Sequence, residues 1–230
     1  MIVLSETDNR LIYTLFYQRI IGTKTLLGQT IFSYKQREIN YIIDAIKGRG
    51  KNGLILDIGC STGQFTRKLA SEFGDAQVQG ADISEKSILR CREKSPDIVY
   101  HHIREGFYSQ HRRQYQYVLL SHVLEHRDDP VSMLREVRGL LREDGALFVC
   151  VPQERVRGDS ALPENMYNLV RLKFENVHRI KHSLETLTPL LSQVGLTINQ
   201  HRYIHAFRSG IDRRSFANHS LVACAEPALA

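Results

Sequence analysis

Residues 54–65, LILDIGCSTGQF, run apolar, turn to a carboxylate at Asp57 and continue at once into Gly59 and Gly63. Glycines let backbone come close to a ligand, and a helix opening at Gly63 offers free N–H groups. Ile58, Cys60 and Ser61 complete this candidate binding loop. Its spacing is GxxxG rather than the GxGxxG that seats a pyrophosphate, so it suits a compact ligand carrying a carboxylate, an amine and a nucleoside. A second acid, Asp82 in VQGADIS, follows at roughly the 20-residue offset where an acidic side chain accepts both ribose hydroxyls. Its structural alternative is capping of the next helix, through Asp82 or Ser84. Histidines supply the remaining chemistry. His122, His178 and His182 fall in segments expected over the mouth of the sheet and are the candidate general bases for a reacting hydroxyl that must lose its proton. His122, Glu125 and His126 also spell HxxEH, the inverted zincin signature, and His178 and His182 are spaced for one helical face. The HxxEH stretch directly follows the apolar run QYVLLS, which puts His122 at a strand end instead of inside a helix, so no metal is expected.

Short apolar strands alternating with amphipathic helices would position these groups. Helical spacing of Leu11, Ile12, Leu15, Phe16 and Ile20 predicts a first helix over 6–21, and Ile39, Ile42, Ile43 and Ile46 mark a second over 36–47. Strands are expected at 54–57, 77–82, 99–103, 117–121 and 146–151, with helices at 63–73, 85–94, 130–141 and 183–194 between or after them. Two last strands, 196–206 and 219–225, would close the sheet as a hairpin edge. The fold class is α/β, doubly wound, with a mostly parallel seven-stranded sheet, helices on both faces and an antiparallel last strand. Residues 1–35 read as an N-terminal helical lid and 36–230 as the main domain, with an insertion at about 152–182 that is long enough to be functional.

Composition narrows the classes of function. A chain of 230 residues, 42% hydrophobic, buries a core large enough for one domain. No apolar stretch approaches the roughly 20 residues of a membrane span, and the N-terminus lacks the order of a secretory signal, so a cytoplasmic protein without membrane partners is expected. Cys60, Cys91, Cys150 and Cys224 form no CxxC pair and read as reduced thiols. The balance of 31 Lys and Arg against 25 Asp and Glu is mildly basic, which is more often a solvated face than a nucleic-acid footprint, and nucleic acid is not expected as a partner.

The set LDIGCSTGQF, GADIS, LLSHVLEHRDDP and LREVRGLLREDGALFVCVP resembles the Rossmann-like (class I) S-adenosylmethionine-dependent methyltransferases, in the small-molecule branch that includes ubiquinone-biosynthesis enzymes. The resemblance covers about residues 36–206. It implies S-adenosyl-L-methionine as cofactor, with Asp57 holding the methionine amino end and Gly59 to Gly63 wrapping methionine and ribose. It further implies Asp82 on the ribose, Ile83 against the adenine, and Ser121 and His122 near the sulfonium. Tyr34 would touch the methionine end, and Tyr13, Phe16 and Tyr17 would close the lid. His178, in FENVHRIKHS, would approach from the insertion. Two features depart from the pattern. The Pro-Gly-Gly loop before the fifth strand is Glu143, Asp144 and Gly145, and the acid expected after the third strand has no match, Arg104 and Glu105 standing nearest.

The leading function is therefore methyl transfer to an oxygen, or a nitrogen, of a small metabolite. An RNA or protein methyltransferase is the alternative, favoured by Arg202, Arg208, Arg213 and Arg214 but lacking an Asn-Pro-Pro-Tyr motif after the fourth strand, where the chain reads Ser121, His122, Val123 and Leu124. A non-catalytic cofactor-binding regulator is the third reading. Acceptor identity and oligomeric state are not written in one chain.

Overall fold

The computed structural model describes residues 34–50, 52–153, 182–205, 212–215 and 218–228. The expected helix over 6–21, most of the lid and the insertion with His178 lie outside these residues.

Helix α1 (Tyr34–Arg49) buries Ile39, Ile42, Ile43 and Ile46 along one stripe and ends with Lys47 and Arg49, whose charges suit the negative end of the helix dipole. The alternation that follows matches the expectation closely. It runs β1 (Leu54–Ile58), α2 (Gln64–Phe73), β2 (Val78–Asp82), α3 (Glu85–Lys94), β3 (Val99–His102), the single turn α4 (Phe107–Gln110), β4 (Tyr115–Ser121), α5 (Pro130–Leu140) and β5 (Leu141–Pro152). Helix α6 (Leu184–Ser192), β6 (Leu196–His205) and β7 (Asn218–Pro227) complete the chain. The helix starts are chemically explicit. Ser84 Oγ accepts from Ser87 N ahead of α3, and Asp129 accepts from Ser132 N with Pro130 at the first helical position of α5.

The seven strands lie in the order β3-β2-β1-β4-β5-β7-β6. β1 to β5 pair in parallel, while β7 is antiparallel to both β5 and β6, forming the expected hairpin edge. The order reverses between β1 and β4, and the crevice beyond their carboxyl ends is where ligands bind in such sheets. Both faces are covered. Ile55, Leu119, Phe148 and Cys224 pack against α1, α2 and α3 on one side. Leu56, Leu120, Val149 and Ala223 pack against α5 and α6 on the other. This alternation explains why the strands read as continuous apolar runs.

The sequence reading placed the start of β5 too late. The strand begins at Leu141, pairs with Tyr115, and then resumes at Ala146 opposite Tyr117, so Arg142 to Gly145 bulge out of the ladder. These polar residues resemble a separate turn in sequence, but the bulge keeps them within the strand. Gln116 Nε2 donates to the Asp144 carbonyl at 2.8 Å and pins the bulge in place. Helix α4 and a 3₁₀ turn at Leu124–His126 were also unanticipated. Among the described residues no helix is long and apolar enough to cross a membrane.

Because neighbouring residues of β4 are fully buried on opposite faces, Leu119→Ala and Leu120→Ala should each cost about 2–5 kcal/mol in urea unfolding. Tolerance of either one would contradict a sheet covered on both sides.

Candidate functional site

The glycine loop is stapled to the end of β2. Gly59 N and Cys60 N both donate to the Ala81 carbonyl, at 2.7 and 3.1 Å. One step further on, Asp82 Oδ2 accepts from Ser61 N and Oδ1 from Ser84 N, each at 2.8 Å. The loop is held from the other side as well, since Arg67 donates to the Thr62 carbonyl at 3.0 Å and the Cys91 thiol to the Ser61 carbonyl at 3.4 Å. These ties sustain an unusual backbone: Gly59, Ser61 and Gly63 all have positive φ, at 77°, 49° and 70°. A Cβ on Gly59 would stand 2.4 Å from the Val123 side chain, and one on Gly63 2.9 Å from Cys91 Sγ, so both positions require glycine for space as well as for φ.

The structure divides the two roles weighed for Asp82. Ser84 caps α3, and Asp82 instead binds the loop, with lone pairs of both oxygens still available at the mouth. Asp57 lies beneath, 2% exposed, with its Oδ2 accepting from the Thr66 hydroxyl at 2.7 Å. Burial raises its carboxyl to about 6, the Thr66 bond opposing that rise and the Asp82 charge adding to it. A buried acid in this state gains from a cationic ligand. Ile58 faces the core, Cys60 is buried, and Ile83 is 71% exposed, an apolar side chain directly after Asp82. Arg104, after β3, pairs with Glu85 at 2.6 Å and donates to His102 Nδ1 at 2.8 Å, while His102 Nε2 lies 3.0 Å from the Ile83 carbonyl. Arg104 therefore belongs to a polar network that borders Ile83. The expected loop, Asp82, Ile83 and Arg104 thus fall along one edge of the sheet.

Ser121 ends β4 next to β1, and His122, expected within the same strand end, is the bend that follows it. His122 has a left-handed φ of 55° and donates its peptide N–H to the Cys150 carbonyl at 3.0 Å. Its ring is set between two carboxylates: Nε2 is 3.1 Å from Glu38 Oε1 and Nδ1 is 3.5 Å from Glu125 Oε1. Both glutamates are fully buried. Burial opposes ionisation of Glu38, but the Lys35 and His122 charges, the His122 hydrogen bond and the His219 charge outweigh it and hold the carboxyl well below the ordinary range. His182, directly before α6, is 4% exposed beside Glu125, and burial lowers its pKa. His178 lies outside the described residues, as does the Tyr34 side chain, although Tyr34 opens α1. The HxxEH residues do not share a helical face. His122 is a bend after β4, Leu124–His126 is one 3₁₀ turn, and His182 precedes its helix, so the zincin arrangement is not formed by them.

Glu38, Thr66 and His219 were not anticipated as site residues. Glu38 left a trace in the sequence, an acid on the helical stripe that carries Ile39, Ile42, Ile43 and Ile46. A cavity of about 470 Å³ bounded by Glu85, Arg92, His101, His102 and Arg104 lies along the β3 edge and includes none of Asp57, Gly59 and Asp82.

Residues 31–201 match the family model described as a methyltransferase domain. Among curated proteins, the ubiquinone biosynthesis O-methyltransferase of Aromatoleum aromaticum is 34% identical over 99 residues, covering 41% of this chain and 42% of the relative. The enzyme of the same name from Glaesserella parasuis is 33% identical over 119 residues, 47% of this chain and 49% of its own. The chain spans about half the length of the curated relatives it matches. Among solved structures, a Burkholderia thailandensis 1,6-didemethyltoxoflavin-N1-methyltransferase, bound to 1,6-didemethyltoxoflavin and S-adenosylhomocysteine, superposes with a TM-score of 0.62 at 14% identity, covering 100% of this chain and 93% of that one. The magnesium protoporphyrin IX methyltransferase of Synechocystis, with S-adenosylhomocysteine bound, gives 0.61 at 17% identity, covering 96% and 100%. These likenesses agree with the α/β architecture, and with the family model matching most of the residues, the chain belongs to the methyltransferase domain family.

Proposed function

We propose that the chain is an S-adenosyl-L-methionine-dependent methyltransferase acting on a small metabolite, with oxygen ahead of nitrogen as the acceptor atom. The observation that carries this reading is the Asp82 carboxylate, which fixes a glycine loop through one oxygen and retains lone pairs on both for a vicinal diol. The cofactor fits the groups around it. Asp57, buried against the Thr66 hydroxyl and beside the Asp82 charge, suits an ammonium group, Ile83 offers an apolar wall to a purine, and the Gly59 and Gly63 positions keep backbone accessible where a Cβ would intrude. When bound, this cofactor supplies a methyl group on a sulfonium for in-line displacement.

The protein's contribution is chiefly alignment of the acceptor, methyl and sulfur, which can supply roughly 7–11 kcal/mol of the barrier. Ser121 and His122 stand at the end of β4, next to the strand that carries Asp57, and are proposed to border the reacting centre. His122, oriented by Glu38 and Glu125, is the favoured general base for a hydroxyl acceptor, a role typically contributing roughly 10²–10⁴ in rate. His182 and His178 are proposed as secondary candidates, together with Tyr34 at the methionine end. The name of the ubiquinone-biosynthesis relatives favours oxygen. The nucleic-acid reading has less support, because Arg202 lies over the Tyr41 ring at 5.3 Å and Arg214 pairs with Glu185 at 2.9 Å. These arginines serve internal contacts.

Two outcomes are expected. Asp82→Asn should raise the dissociation constant for S-adenosylhomocysteine about 10- to 100-fold by calorimetry with unchanged circular dichroism, since a charge-assisted pair of hydrogen bonds is lost; unchanged affinity would remove Asp82 from the site. Asp57→Asn keeps an acceptor for Thr66 while deleting the charge. The Asp57 carboxyl titrates near 6 when folded against an ordinary value of 3.8, so the native state loses stability as pH rises through that interval and does not recover it above. Without cofactor, the variant should be more stable than wild type by about 1–3 kcal/mol at about pH 7, and equal to it near pH 4, while binding cofactor more weakly. Equal stability at both pH values in urea titrations would show that Asp57 carries no such penalty.

A further inference from the structure

Three ligand-bearing side chains from separate elements meet beside the end of β4. Glu38 of α1, His122 after β4 and His219 of β7 each present one ligand atom, and these atoms all lie within 4.8 Å of one another. The two imidazole rings are 5.8 Å apart between centroids, and Glu38 Oε1 is 3.1 Å from His122 Nε2. Strand pairing holds the backbones in place: His122 N bonds the Cys150 carbonyl, and the His219 carbonyl accepts from Gln153 N at 2.9 Å. Two imidazoles and one carboxylate, with further positions open, form a donor set suited to zinc and neighbouring divalent ions.

Independent evidence comes from the surroundings. Glu38 Oε2 is buried, with Lys35 Nζ at 3.5 Å and the Cys150 thiol against the carboxylate. Both oxygens of Glu125 are buried without a hydrogen bond, and Oε1 faces His122 Nδ1 at 3.5 Å. A carboxylate behind the distal nitrogen of a histidine is the usual support of a metal-bound imidazole, because it fixes the ring and strengthens the nitrogen that ligates. Two fully buried carboxylates flank one histidine, and a divalent cation would add positive charge between them beside Lys35.

We propose that Glu38, His122 and His219 form a binding site for one divalent cation of the zinc class, with Glu125 orienting His122 from behind. The site uses His122 of the HxxEH stretch but neither Glu125 nor His126 as a ligand, and its other ligands come from α1 and β7. If the methyltransferase reading holds, the open coordination positions would take an oxygen of the acceptor and ease its deprotonation, and His122, held between the ion and Glu125, would then serve as ligand in place of general base; that clause alone rests on that reading.

Cobalt(II) titration of tag-free, metal-stripped protein tests the site without any measurement of activity. The expected result is one equivalent bound with visible d–d absorption, displaced by zinc, and an affinity reduced at least 10-fold in both Glu38→Gln and His219→Gln. No stoichiometric binding by wild type would overturn the proposal, as would wild-type affinity retained in both variants. Should either variant fail to fold, X-ray absorption of the zinc-loaded wild type decides: two imidazoles and oxygen in the coordination shell are expected, and a shell without imidazole overturns the site. Cobalt binding in a chain that takes up no S-adenosylhomocysteine would leave the metal site standing and remove the methyltransferase reading.

Discussion

A single carboxylate fixes the shape of the ligand-facing loop. Asp82 accepts a backbone N–H from Ser61 with one oxygen and from Ser84 with the other, thereby joining the turn after β1 to the turn after β2. The loop needs this restraint. Three of its residues, Ser61 among them, hold positive φ, a conformation that costs a non-glycine residue on the order of 1 kcal/mol or more. The Ala81 carbonyl, Arg67 and Cys91 add further ties, so the loop is held by the protein's own groups. Preorganisation of this kind spares a ligand the cost of ordering the loop.

The same design places two acids close together in a poorly solvated crevice. Asp57 feels the Asp82 charge in addition to its own burial, and both push its carboxyl upward. Such an arrangement weakens the empty protein and rewards a ligand with a positive group, a common exchange of stability for function. A parallel tension exists at the end of β4, where Glu38 and Glu125 are buried around His122. The two charged centres sit at the carboxyl ends of adjacent parallel strands, β1 and β4, which is the crevice that the reversal of strand order creates.

Much of this was legible in the sequence because it is local. Asp57, Gly59, Gly63 and Asp82 lie on one βαβ unit, and the spacing that signals them is the spacing that brings them together. Strand and helix limits were also readable wherever an apolar run ended on a turn residue or a cap, as at Asp82 and Asp129. The bulge at Arg142 to Gly145 was not, since the alternation of polar residues in REDG is the same for a turn and for a bulge that stays in the ladder. The partners of His122 were hidden for a different reason. Glu38 lies 84 residues away in sequence, and its pairing depends on how α1 packs across the sheet, which no local period encodes. The one local hint is physical: an acid inside an isoleucine stripe must find a partner in the folded state.

If the loop tied to Asp82 grips a sulfonium nucleoside, the bound nucleoside shields its amides from solvent. Hydrogen exchange followed by mass spectrometry, with and without S-adenosylhomocysteine, tests it most directly. The account predicts added protection concentrated in residues 57–63 and 81–84. Protection confined to other segments, or none at saturating ligand, would contradict it.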